Sequence, residues 1–99
     1  YEQAMEQFMG EKLRELGLIK LVEKSQVRRY FPHATSHSLG LDPHDVADYE
    51  RPLEAGMVVT VEPGIYRPGL GGIRIEEDCL VTEKGCTVLT QPQRHVIEL

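Results

Sequence analysis

Met57-Val58-Val59-Thr60-Val61-Glu62-Pro63-Gly64 is the stretch on which the fold turns. Its β-branched run has strand character, and Pro63-Gly64 stops it: proline removes a ladder donor and glycine lets the chain turn. Alternation places Val58, Thr60 and Glu62 on one face and Val59 and Val61 on the other. Glu62 therefore closes a strongly apolar strand where the backbone changes direction. Catalytic groups gather at such ends, and carboxylates there also cap turns, so the local pattern leaves both readings open.

Downstream, Tyr66 to Gly72 contains Pro68-Gly69 and Gly71-Gly72 and reads as a turn. Ile73 to Thr82 alternates as a strand, and Glu83-Lys84-Gly85 reads as a hairpin connection into Thr87 to Thr90. In that long strand Ile73, Ile75 and Glu77 share one face, while Arg74, Glu76 and Asp78 share the other. With the isoleucines packed inward, Arg74, Glu76 and Asp78 form a polar face. Alternation thereby selects Glu76 over Glu77. Two readings stay open: a solvated face of mixed charge, or a placed Glu76 carboxylate that Arg74 neutralises and orients.

Upstream, the chain begins in helical rhythm, with Met5, Phe8, Met9, Leu13 and Leu16 on one stripe. Gly17 suits the left-handed position just beyond that helix, where Leu18 folds back on Leu13. Gly10 inside the helix costs about 1 kcal/mol relative to alanine. Lys20 to Arg29 holds a short second helix. A helix with a good end and no capping residue or initiator Met at its start reads as part of a longer polypeptide, so residues 1–99 are expected to be the C-terminal portion of a larger domain.

Between helix and strand, Tyr30 to Leu53 is rich in Pro, His, Asp and Gly and reads as an ordered loop, and a long loop in a compact domain is usually functional. His33 and His37 are spaced as on a helix, but Pro32 and Gly40 favour a loop or a single turn. Ala34 breaks the His-Glu-x-x-His pattern of a zinc protease helix. His44 lies between Asp42 and Asp45, either of which can fix its tautomer. His95 reads as surface. Imidazoles and carboxylates from separate segments are the ingredients of a hydrolytic metal site, although a single histidine is usually structural. The element order, helix then loop then antiparallel sheet, is α+β.

Composition narrows the class. The 99 residues are 40% apolar and 27% charged, which is ordinary for a soluble domain. The apolar runs are too short to span a membrane. A net charge of −5 with no basic stripe argues against nucleic acid. Cys79 and Cys86 flank a turn; a cross-strand disulfide is conceivable, but free thiols in a reducing cytoplasm are favoured.

Three segments carry a resemblance. The runs His33-Ala34-Thr35-Ser36-His37 through Asp42-Pro43-His44-Asp45-Val46, Thr60-Val61-Glu62-Pro63-Gly64-Ile65-Tyr66 and Gly72-Ile73-Arg74-Ile75-Glu76-Glu77-Asp78 resemble the C-terminal half of the catalytic domain of Xaa-Pro aminopeptidases and prolidases. These are metallopeptidases of the pita-bread fold. Methionine aminopeptidases share that fold but match less well in the loop from Leu39 to Asp45 and in Ile73-Arg74-Ile75-Glu76.

The resemblance implies a metal-dependent exopeptidase that hydrolyses the Xaa-Pro bond at a peptide N-terminus. It implies two divalent ions, manganese first with zinc or cobalt as substitutes, and a water activated between them. Position by position, His37, Glu62 and Glu76 match metal ligands, with Glu62 also handling the catalytic proton and Glu76 bridging the ions. His44 matches a histidine that stabilises the tetrahedral intermediate, His33 one that lines the substrate pocket, and Arg74 an outer arginine. The pattern further needs two aspartates and a histidine from the preceding half of the fold, for which Asp42, Asp45 and Asp48 cannot substitute. Ala34 and Ser38 stand where glycine and an aromatic residue are usual, which restricts the loop if position 34 needs positive φ. The implied partners are a peptide with proline in second place and the missing N-terminal half. An apolar face left open without that half allows self-association into a homo-oligomer. Other readings are a prolidase acting on dipeptides, a non-catalytic binding module on the same fold, and a zinc hydrolase using one ion.

Overall fold

The computed structural model describes residues 1–91 and residue 95. They form two compact units, one of Tyr1–Thr35 with Pro63–Arg74, the other of Ser36–Glu62 with the chain from Ile75 onward. Among the described residues no helix is long and apolar enough to cross a membrane. His95 is exposed, as expected.

The first unit holds helices α1 (Glu2–Glu15) and α2 (Lys24–Tyr30) and a hairpin of β2 (Gly64–Arg67) and β3 (Gly71–Arg74). The end of α1 follows its sequence. Gly17 adopts φ 71°, its N–H donates to Arg14, and the Leu18 N–H reaches back to Leu13 at 3.0 Å. That pair of bonds satisfies carbonyls the helix leaves open. The core is Met9, Leu13, Ile19, Val27 and Phe31, with Leu18, Tyr30 and Ile65 packed on it. Each fully buried large side chain contributes roughly 1.5–3 kcal/mol. Phe8 and Leu16, read as part of the inward stripe, are instead 49% and 63% exposed. The covered arc of α1 is narrower than its apolar stripe.

Gly10 has a packing reason. A Cβ there would stand 2.5 Å from Val22 Cγ1 and 3.0 Å from Val27 Cγ2, so only glycine admits this approach of α1 to the α2 segment. Glu6 and Arg28 tie the helices at 2.7 Å.

The second unit is a three-stranded antiparallel sheet of β1 (Val58–Val61), β4 (Glu77–Thr82) and β5 (Gly85–Val88), with β4 in the middle. The loop before β1 bends onto its free side through a bridge from Ser38 to Val59.

Two expectations for the second half need correction. Tyr66 to Gly72 is not merely a turn: Ile65 and Tyr66 lie in β2, and the turn is confined to Pro68-Gly69-Leu70. Nor is Ile73 to Thr82 one strand. Ile75 and Glu76 belong to no ladder, β3 pairs with β2, and β4 pairs with β1. The isoleucines consequently do not face a core; Ile73 is 66% and Ile75 36% exposed. A break at this point follows from the pairing partners on either side. Ala34 is not strained, since no non-glycine residue among those described has positive φ.

Candidate metal centre

β1 delivers Glu62, and the break before β4 delivers Glu76. The ladder explains their proximity: Val61 pairs with Glu77, and continuing that register by one residue sets Glu62 opposite Glu76. Both carboxylates thus occupy short gaps where the chain has left its ladder and backbone direction is free to aim them. His37 arrives from the loop, fastened to β1 by two hydrogen bonds. Its backbone N–H donates to Thr60 Oγ1 at 3.0 Å, and the Thr60 N–H donates to its carbonyl at 3.0 Å. One donor atom from each of His37, Glu62 and Glu76 lies within 4.8 Å of the others.

Hydrogen bonding fixes what these atoms offer. His37 Nδ1 lies 3.0 Å from the Ser38 carbonyl, which can only accept, so Nδ1 carries the proton. Nε2 stands 3.1 Å from Glu62 Oε1. Thr60 Oγ1 accepts from the His37 N–H and turns its own proton to Glu62 Oε1 at 3.0 Å. Thr60 and Glu62 are 1% and 7% exposed, so this arrangement is shielded from water.

One imidazole nitrogen and two carboxylates therefore converge from three separate segments. Imidazole nitrogen with carboxylate oxygens suits borderline and hard divalent ions, and a polar outer partner such as Thr60 is what such ligands use to hold their orientation. The residues present therefore fit a metal ion.

His44 stacks on His37 with ring centroids 4.0 Å apart and planes inclined by 23°. Of the two aspartates expected to support His44, Asp45 is engaged otherwise: its carboxylate accepts from the N–H groups of Leu41 and Val46.

His33 and Arg74 meet elsewhere, in the first unit, at a residue that the sequence reading did not single out. Arg74 Nε donates to Tyr66 Oη at 2.7 Å, and Tyr66 Oη lies 2.8 Å from His33 Nε2. His33 Nδ1 faces the Ala34 carbonyl at 2.8 Å and so bears the proton. Tyr66 Oη thus joins Arg74 and His33 in one hydrogen-bonded chain. Thr60 was visible beforehand as sharing a face with Glu62. Tyr66 left no local signal, because its role rests on contacts with distant residues.

Comparison with known proteins agrees with this architecture. The model of metallopeptidase family M24 matches residues 2–83. An uncharacterized peptidase of Staphylococcus epidermidis is 47% identical over 78 residues, covering 75% of this chain and 22% of that protein. The structure of an Xaa-Pro dipeptidase from Bacillus anthracis superposes with a TM-score of 0.71 at 39% identity, over 91% of this chain and 24% of its own. An X-Pro aminopeptidase from Thermotoga maritima gives 0.68 at 37% identity, over 88% and 23%. The chain thus spans about a quarter of the length of these relatives. With two helices, antiparallel sheets and the matched region running through almost all of them, the chain belongs to metallopeptidase family M24 and is a portion of its pita-bread fold.

Proposed function

We propose that the protein containing this chain is a metal-dependent exopeptidase that removes the residue preceding proline from a peptide N-terminus. The observation that carries this reading is the convergence of His37 Nε2 and Glu62 Oε1, 3.1 Å apart, with Glu76 completing the set of ligand atoms. His37, Glu62 and Glu76 would hold divalent metal, manganese foremost, with the remaining ligands of a two-ion centre supplied by other parts of the protein. Bound there, the metal supplies Lewis-acid activation of water and of the scissile carbonyl.

The chain's own groups do the rest. Thr60 fixes the Glu62 carboxylate, which takes the proton from the attacking water and returns it to the proline nitrogen as the bond breaks. His44, beside His37, donates a hydrogen bond to the oxygen on which negative charge develops. By the family resemblance His33 would line the substrate pocket, held by its hydrogen bond to Tyr66, whose hydroxyl Arg74 orients. Free Cys79 and Cys86 suit a cytoplasmic setting.

The similarity to a dipeptidase supports a second reading, in which the substrate is the Xaa-Pro dipeptide itself. Manganese-loaded full-length protein separates the two. Release of the first residue from Xaa-Pro-Xaa tripeptides is the expected result. Cleavage of the dipeptide alone selects the second reading, and cleavage indifferent to proline overturns both.

A further inference from the structure

We propose that Cys79 and Cys86 form a thiol–disulfide exchange site that takes low-molecular-weight disulfides and closes to a bond between β4 and β5. The register pairs Cys79 with Val88 and Val81 with Cys86. The two cysteines are therefore diagonal neighbours with side chains on the same face of adjacent strands. Both are free; Cys79 is buried and Cys86 is exposed.

This asymmetry assigns an order to the exchange. Cys86 sits on β5, the last strand of the described sheet, and every residue of β5 is exposed. An external disulfide can reach it. The Cys86 thiolate attacks one sulfur of R–S–S–R, forming Cys86–S–S–R and releasing R–S⁻, which takes up the proton lost by Cys86. Cys79 then gives up its proton and attacks the Cys86 sulfur, forming the Cys79–Cys86 bond and releasing a second R–SH. Two cysteines lose two electrons, and the external disulfide becomes two thiols. Burial and its neighbours Cys86, Glu77 and Asp78 hold Cys79 in the thiol form, which keeps it from reacting first with an external disulfide. It is left for the second step, where its place beside Cys86 brings the two sulfurs together.

The geometry also predicts reversibility. Diagonal positions across an antiparallel pair lie about 7–8 Å apart, just beyond the usual disulfide span of about 4.4–6.8 Å. Closure must twist or shear β5 along β4, which an edge strand paired on one side only can follow. A bond formed under such strain is readily reduced. The proposal is independent of the peptidase reading and tested without an activity assay.

The experiment incubates the full-length protein with oxidised glutathione, blocks remaining thiols by alkylation and digests with trypsin. Cleavage after Arg74, Lys84 and Arg94 places the cysteines on separate peptides, 75–84 and 85–94. The expected product is those two peptides joined by a disulfide in protein that stays monomeric on a non-reducing gel, and restored to alkylatable thiols by reduced glutathione. In Cys79→Ser the reaction should stop at glutathione carried on Cys86. Glutathione on Cys86 alone in the wild type, linkage only between two chains, or two unreacted thiols would each overturn the proposal.

Discussion

His37 Nε2 and Glu62 Oε1 stand 3.1 Å apart with Thr60 Oγ1 donating to the same carboxylate oxygen. The other ring nitrogen, Nδ1, faces the Ser38 carbonyl. An imidazole nitrogen and a carboxylate oxygen are thus held together above a buried threonine, a pair suited to ligating one divalent cation.

Thr60→Val tests the support beneath this pair. Valine keeps the shape but leaves the His37 N–H without its side-chain acceptor and Glu62 without its donor. Stability should fall by roughly 1–3 kcal/mol, and affinity for manganese by about 10–100-fold. Denaturant unfolding and metal titration of the full-length protein measure the two effects separately.

Glu62→Gln removes the proton carrier while preserving volume. Turnover of an Xaa-Pro peptide should drop by at least about 10²–10⁴-fold, with the far-ultraviolet circular dichroism spectrum unchanged. Near-normal turnover in this variant would take Glu62 out of the chemistry.

Gly10→Ala sets two effects against each other. Alanine gains about 1 kcal/mol of helix propensity over glycine, but its Cβ would meet Val22 Cγ1 at 2.5 Å. Overpacking at a tight crossing costs about 1–3 kcal/mol, so the variant should be less stable than the wild type in a chemical melt. A gain in stability would show that the two segments can move apart at little cost.

Burial raises the pKa of the Cys79 thiol, helped by Cys86, Glu77 and Asp78. The folded chain therefore holds this proton more tightly than the unfolded chain does. Its contribution to stability is intact below the ordinary thiol pKa and is lost as pH rises through the folded value. The unfolding midpoint of Cys79→Ala should accordingly depend less steeply on alkaline pH than that of the wild type. Parallel titrations would argue that the thiol is not shielded.

Much of the centre could be read from residue order, for identifiable reasons. Pro63-Gly64 marks the end of β1, so Glu62 announced itself as a strand-end carboxylate, and alternation put Thr60 on its face. Glu76 was selected by alternation along a strand that is in fact broken at Ile75 and Glu76. No glycine or proline signals that break, because it arises from β3 and β4 choosing different partners. The hydrogen-bond chain through Tyr66 was hidden for a related reason: its partners lie 33 and 8 residues away. Phe8 and Leu16 show the opposite limit, where an amphipathic stripe overstates the arc of α1 that is covered.

The proposal that His37, Glu62 and Glu76 jointly hold a metal ion is tested most directly by calorimetric titration of manganese into the full-length protein and its His37→Ala variant. The wild type should bind manganese, and the variant should lose one ion per chain or bind it at least about 10-fold more weakly. Equal stoichiometry and affinity in the two proteins would contradict it.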